Sequence, residues 1–194
     1  MITSHLSGCY LQVGLIENIK PENKSFASLR ETYQYLFRRN REFALLLWNG
    51  IPVRLSYVWD IPWMIEKIII LLDKLTDENE LDTETHHHCY FQTKNLKFNW
   101  YLEWNSEAIE VDSFWEKIPG NYETALNSLG HIKMMKQEFL YEWKLLLEQL
   151  IRAFQDAGGR IYESEQADLF DMLLRINQSI EQRGRYYRTN DYNS

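Results

Sequence analysis

The spacing of apolar positions along the chain changes between the two periods typical of strands and helices. In residues 97–104 every second position is apolar, from Phe98 to Trp104, which predicts a strand with one buried face. Further strands are predicted at 8–16, 42–48, 51–59, 88–93 and 107–112. Helical spacing is found at 28–40, 61–75, 130–157 and 165–183. We therefore expect an α+β fold in which an antiparallel sheet of about five to six strands is packed by about four helices, with a helical C-terminal third.

Local motifs indicate where several of these elements begin and turn. Asn49-Gly50 lies between two apolar runs and predicts a tight hairpin, because both residues tolerate the positive φ angles of a type I′ turn. Ser28 and Glu31 have the spacing of a capping box at the start of a helix. Pro52 lacks the N–H that a strand donates, so its side of the strand is expected to be open, as at a sheet edge, or to end early.

A second hairpin is expected at Asn105-Ser106, where we predict a two-residue turn. This turn would pair Leu102 with Ile109 on the inner face and Tyr101 with Glu110 on the outer face. The apolar and polar residues of the two strands would then match across the hairpin.

Length and composition predict one folded domain. The chain has 194 residues, of which 45% are hydrophobic and 25% charged. We assign residues 1–184 to a single α+β domain and residues 185–194, which follow Gly184, to a flexible C-terminal tail. The sequence does not open with a basic segment followed by an apolar run, and its apolar runs are too short to span a bilayer, so we expect a cytoplasmic protein.

The charge of the chain restricts the partners that it can bind. The formal net charge is −7 and the calculated pI is about 5.3. Nucleic acid is disfavoured as a partner, because binding it requires a basic surface that neutralises phosphates. A membrane partner is not expected either. An acidic surface favours solubility and also fits a basic protein partner.

Residues that could carry chemistry are few. His86 and His88 would share one face of a strand and could hold a metal, but no third ligand lies at the spacing of a known zinc motif. We therefore predict no metal site and no cofactor, and we assign no role to either residue or to His87. Cys9 is expected to be a small buried residue on the first strand, and His131 is expected to be a packed or capping residue on a helix.

Two acidic regions are candidate partner-binding surfaces. The first is the outer face of the predicted hairpin, which combines an aromatic residue with carboxylates: Tyr101, Glu103, Glu110 and Asp112. The second is the polar loop that follows the second helix: Asp77, Glu78, Glu80, Asp82 and Glu84. Solvation alone accounts for such carboxylates, and a surface that meets a basic partner is the alternative.

The middle of the chain has a layout resembling a known class of proteins. A hairpin (LLLWNGIPVRLSYVWDIP) leads into an apolar helix (WMIEKIIILLDKL), and a Trp-rich acidic meander (NLKFNWYLEWNSEAIEVDSFW) follows. In size, charge, aromatic content and layout, over about half its length, the chain resembles small acidic immunity proteins of bacterial polymorphic toxin systems, including contact-dependent growth inhibition. This resemblance implies a cytosolic, non-enzymatic protein that binds and neutralises one cognate toxin domain, and it assigns no functional residue.

The sequence therefore favours a toxin-neutralising immunity protein that blocks the active surface of its partner. A nuclease is the expected target, because its substrate-binding surface must be basic. Two alternatives stay open: an enzyme with a carboxylate or histidine site that has no recognised motif, and an accessory subunit of a larger assembly. A deep pocket lined by His86, His88 and a carboxylate would favour the enzyme. A large apolar patch used for self-association would favour the subunit.

Overall fold

The structure is a computed structural model that describes residues 8–14, 16, 19, 23–77 and 85–190, with side chains to residue 182. These residues form nine strands and five helices. The strands are β1 (Cys9–Gln12), β2 (Ser25–Phe26), β3 (Phe43–Trp48), β4 (Ile51–Ser56), β5 (Thr85–Gln92), β6 (Lys97–Trp104), β7 (Ala108–Lys117), β8 (His131–Met135) and β9 (Arg160–Ile161). The helices are α1 (Leu29–Leu36), α2 (Ile61–Thr76), α3 (Glu123–Ser128), α4 (Lys136–Asp156) and α5 (Ser164–Asn190). The predicted α+β class and helical C-terminal part are confirmed.

The strands are divided between two antiparallel sheets and one short parallel pair, rather than forming one sheet. The first sheet has the order β1-β3-β4, the second has the order β5-β6-β7-β8, and β2 pairs with β9. The two antiparallel sheets meet through side chains: the ring of Trp48 on β3 stacks on that of Trp100 on β6, with centroids 5.4 Å apart. Trp143 of α4 contacts Trp100 as well. Their inner faces therefore share one core without pairing their backbones.

The hairpin at Asn49-Gly50 is confirmed. Trp48 pairs with Ile51, so only two residues form the tip, and their φ angles are +46° and +81°. Both angles are positive, as a type I′ turn requires. Pro52 lies on β4, which is an edge strand as predicted.

The capping box at the start of α1 is also present. The Ser28 hydroxyl accepts a hydrogen bond from the Glu31 N–H at 3.1 Å. The Glu31 carboxylate reaches back to the N–H of Ala27 at 2.9 Å, one residue before the cap. The side chains of α1 are thus fixed from its first turn, and Leu29 is fully buried.

Residues 105–108 separate the last cross-strand pair of β6 and β7, and the predicted two-residue turn at Asn105-Ser106 is wrong. Trp104 pairs with Ile109. The Asn105 side-chain oxygen accepts hydrogen bonds from the N–H groups of Glu107 and Ala108, each at 2.9 Å. This side-chain turn, which asparagine forms with the backbone two and three residues ahead, holds the longer loop closed.

The register of this hairpin consequently differs from the prediction by two residues. Tyr101 faces Asp112 instead of Glu110, and Leu102 faces Val111. A shift of two residues leaves each side chain on its predicted face, because side chains alternate with a period of two along a strand. The predicted outer face is therefore right, although the cross-strand partners are not.

The predicted helix over 130–157 begins later than expected, because its first part is a strand. Residues His131–Met135 form β8, which pairs with β7, and α4 follows without a loop. Burial alternates along β8, with Ile132 and Met134 inside. The strand places His131 on an exposed sheet face, so the prediction of a packed or capping residue on a helix is wrong.

The last helix continues beyond its predicted end. Helix α5 runs from Ser164 through Gly184 to Asn190. A single glycine lowers helix stability by only about 1 kcal/mol and does not by itself end a helix. Part of the predicted tail is therefore helical, and residues 191–194 lie outside the described part of the chain.

Candidate partner-binding face

The outer side of the four-stranded sheet carries the first of the two predicted surfaces, and we call it the meander face. Its side chains are the alternate residues that point away from the core on β5 to β8. They are His86, His88, Tyr90, Gln92, Lys97, Asn99, Tyr101, Glu103, Glu110, Asp112, Phe114, Glu116, His131, Lys133 and Met135. Three large side chains of this face are about half exposed: Tyr101 at 53%, Phe114 at 54% and Met135 at 51%.

The four residues predicted on this hairpin face lie together. Tyr101 and Asp112 are direct cross-strand partners, and so are Glu103 and Glu110 in the neighbouring row. The two rows are adjacent on the same side of the sheet, because residues two apart on a strand point the same way. They combine an exposed aromatic ring with three carboxylates.

In the row that contains Glu103 and Glu110, two negatively charged side chains face each other. Cross-strand partners of like charge destabilise a sheet. Each glutamate has a cationic or titratable neighbour on its outer side: His86 Nδ1 lies 3.2 Å from the Glu103 carboxylate, and the Lys133 ammonium donates to the Glu110 carboxylate. The hydrogen bond from Lys133 lowers the pKa of Glu110, so that carboxylate is held in its charged form.

The neighbouring row places histidines beside Tyr101 and Asp112. The His88 ring stacks on the Tyr101 ring with centroids 4.5 Å apart, and His131 Nδ1 lies 2.9 Å from a carboxylate oxygen of Asp112. His88 Nε2 is also 3.0 Å from the Asn99 side-chain oxygen. Sequence reasoning missed these pairs. The alternation of polar and apolar residues over 131–134 was the sequence signal that could have placed His131 on this face.

The histidine run does not converge on a common centre. His86 and His88 share a face, as predicted, but each contacts a different residue of β6: Glu103 and Asn99, respectively. His87 points to the other side, where its Nδ1 lies 3.3 Å from the Lys74 ammonium. Burial and then the charge of Lys74 lower the pKa of His87. Among the residues that the structure describes, no three His, Cys, Asp or Glu side chains are grouped as metal ligands would be.

The second predicted surface is described only at its first residue. Asp77 follows the last residue of α2 and is exposed. Glu78, Glu80, Asp82 and Glu84 lie outside the described residues.

The remaining sequence candidate, Cys9, is buried as predicted. It is completely inaccessible to solvent on β1, and burial raises the pKa of its thiol. Two residues further along β1, the Leu11 N–H donates to the carboxylate of Glu142 on α4 at 2.8 Å. Because β1 is an edge strand, this side chain satisfies a backbone donor that has no neighbouring strand.

Comparison of the chain with protein-family models, with curated proteins and with solved structures finds no match. No helix within the described part of the chain combines the length and the apolar character needed to cross a bilayer.

Proposed function

We propose that this protein is a binding protein that docks its meander face on a basic protein partner. The observation that carries the proposal is the contiguous placement of Tyr101, Glu103, Glu110 and Asp112 on one open sheet face. An exposed aromatic ring among carboxylates has the composition of an interface centre with acidic surroundings.

We further propose that the partner is a cognate bacterial toxin domain, which the protein neutralises in the cytoplasm by covering its active surface. The resemblance in layout, charge and aromatic content to immunity proteins supports this choice. A nuclease is the favoured target, because carboxylates such as Glu103, Glu110 and Asp112 can take the positions that substrate phosphates occupy on its basic surface.

The two kinds of side chain would contribute in different ways. Carboxylates at an exposed rim accelerate association by long-range attraction, which salt screens. The Tyr101 ring is half exposed in the free protein. In the complex it would bury apolar area, and such contacts slow dissociation. Loss of the ring should therefore cost roughly 2 kcal/mol or more in affinity, mainly through a faster dissociation rate.

The test is to replace Glu103, Glu110 and Asp112 by Ala together and to measure binding to the candidate toxin, the product of the adjacent upstream gene. The matched control replaces three exposed carboxylates on α4 and α5 by Ala: Asp156, Asp168 and Asp171. Both variants change the net charge by the same amount. We expect only the first to lower the association rate and its salt dependence. Equal affinity and salt dependence in the two variants would exclude the meander face as the interface.

A further inference from the structure

The outer side of the three-stranded sheet is a second open face, which we call the hairpin face. On β3 its residues are Phe43, Leu45 and Leu47, and the cross-strand partners of the two leucines are Arg54 and Pro52 on β4. Phe43 is 47% exposed, and both leucines are partly exposed, whereas the residues between them are buried. This side of the hairpin thus presents apolar surface to solvent.

Arginines are concentrated in and just before the β3–β4 hairpin, although the chain as a whole is acidic. Arg54 lies over the Phe43 ring, with its guanidinium carbon 5.7 Å from the centroid. Arg39 and Arg41 are exposed in the segment just before β3, where Glu42 is the neighbouring carboxylate. Arg39, Arg41, Arg54 and Glu42 together carry a net charge of about +2 at neutral pH.

The meander face has the opposite charge around an apolar centre of its own. It carries four carboxylates and two lysines, which leaves a net charge of about −2 with neutral histidines. Its exposed apolar side chains are Tyr101, Phe114 and Met135. The same chain therefore presents two open sheet faces that match in apolar character and are opposite in charge.

We propose that the hairpin face of one copy docks on the meander face of a second copy. Open sheets pack face to face at a separation of about 10 Å, and this arrangement would bury both apolar centres and place arginines opposite carboxylates. Because the two faces differ, the contact is heterologous, and each copy keeps one face free for the next. This inference does not depend on the toxin-binding proposal, but the second copy would compete with a toxin for the meander face.

The size of the smaller face sets the strength of this contact. The area of the hairpin face is on the order of 300 Å², for three strands about 4.8 Å apart and about six residues long at a rise of about 3.4 Å per residue. A stable interface buries about 800 Å² per partner, so the self-association should be weak and concentration-dependent. Arginine–carboxylate contacts at its rim should make it sensitive to salt.

The experiment is sedimentation equilibrium of the full chain at about 10 µM to 1 mM, in low and in high salt. We expect the weight-average mass to rise above the monomer mass of 23.4 kDa at the upper concentrations in low salt, and to rise less in high salt. Cross-linking of the associated sample should join segment 41–54 of one copy to β7 or β8 of another.

Charge reversal tests the pairing of the two faces. Arg41→Glu with Arg54→Glu makes the hairpin face acidic, and Glu110→Lys with Asp112→Lys makes the meander face basic. Each double variant alone should stay monomeric, and an equimolar mixture of the two should associate again. A control with the same charge change as the arginine double variant, Arg152→Glu with Arg160→Glu on exposed positions elsewhere, should associate as the unmodified chain does.

A constant mass of 23.4 kDa across the whole concentration range in low salt overturns the inference. The inference is also overturned if the protein associates but the cross-links join two meander faces. It is overturned as well if neither double variant reduces the association. These measurements need no toxin, so their outcome does not depend on whether the proposed function is right. If a double variant fails to fold, the concentration and cross-linking series of the unmodified chain still decides the outcome.

Discussion

Asn49 at the hairpin tip offers the sharpest test of how the two sheets are held together. Its side-chain oxygen accepts from the Gly8 N–H at 2.8 Å. Its amide group donates to two carbonyl oxygens, that of Leu129 at 2.7 Å and that of His131 at 2.9 Å. One side chain thus connects the start of β1, the tip of the β3–β4 hairpin and the edge strand β8.

Three substitutions of Asn49 separate the contributions of its side chain and its backbone. Asn49→Gly keeps the φ of +46° accessible but removes three hydrogen bonds, of which two are exposed. We expect a loss of about 2 kcal/mol, counting about 1 for the partly buried bond and about 0.5 for each exposed one. Asn49→Ala should cost about 1 kcal/mol more, because alanine disfavours positive φ.

Asn49→Asp is the most informative variant, because it keeps the acceptor for Gly8 and replaces the donor with an oxygen that faces two carbonyls. It should therefore destabilise the protein at least as much as Asn49→Gly. The assay is urea unfolding at pH 7, with thermal unfolding as a check; a loss of 2 kcal/mol corresponds to roughly 4–8 °C in Tm for a chain of this size. If Asn49→Asp were as stable as the unmodified protein, or if Asn49→Gly left the free energy of unfolding unchanged, the conclusion that the Asn49 side chain holds the two sheets together would be refuted.

Three further results are expected. Asp60 is 2% exposed and accepts from the Thr93 hydroxyl at 2.5 Å, so Asp60→Ala should cost about 2–3 kcal/mol in urea unfolding, whereas Thr93→Ser should cost less than 1. Burial and then nearby cations lower the pKa of His87, so stability should fall as the pH drops below about 6.5. His87→Gln should flatten that part of the Tm profile, and an identical profile would contradict this account. The hydrogen bond from Lys133 lowers the pKa of Glu110, so its contribution to stability is present above the ordinary carboxyl pKa and lost as the pH falls through the lowered value. Lys133→Met should raise the pKa of Glu110 in an NMR titration, and an unchanged pKa would exclude the ion pair.

Local sequence signals predicted much of the fold because they depend on neighbouring residues. The positive φ angles at Asn49-Gly50 and the cap at Ser28 are properties of a few consecutive residues, and both are found as predicted. Strand β8 was missed because five alternating residues run directly into a 21-residue helix with its own, stronger periodicity. The number of sheets was missed because it depends on packing between distant residues such as Trp48 and Trp100.

The candidate site was predicted in part. The outward direction of Tyr101, Glu103, Glu110 and Asp112 follows from strand alternation, which survives a register shift of two residues. Their partners do not follow from it, because the length of the loop at 105–108 decides which residues face each other. The toxin partner and the non-enzymatic role stay predictions.

The tryptophans at the junction of the two sheets give the protein a built-in optical signal. The Trp48 ring lies 5.4 Å from that of Trp100 and 5.8 Å from that of Trp115, and all three are buried. Indole rings this close couple their electronic transitions, which adds a paired positive and negative band to the circular dichroism spectrum. Because Trp48 belongs to one sheet and the other two to the second, the part of this signal that involves Trp48 depends on the distance between the sheets. The contact of Trp100 with Trp143 on α4 contributes a part that does not. Loss of the part that involves Trp48 on titration or heating would therefore mark the separation of the sheets independently of the helix signal.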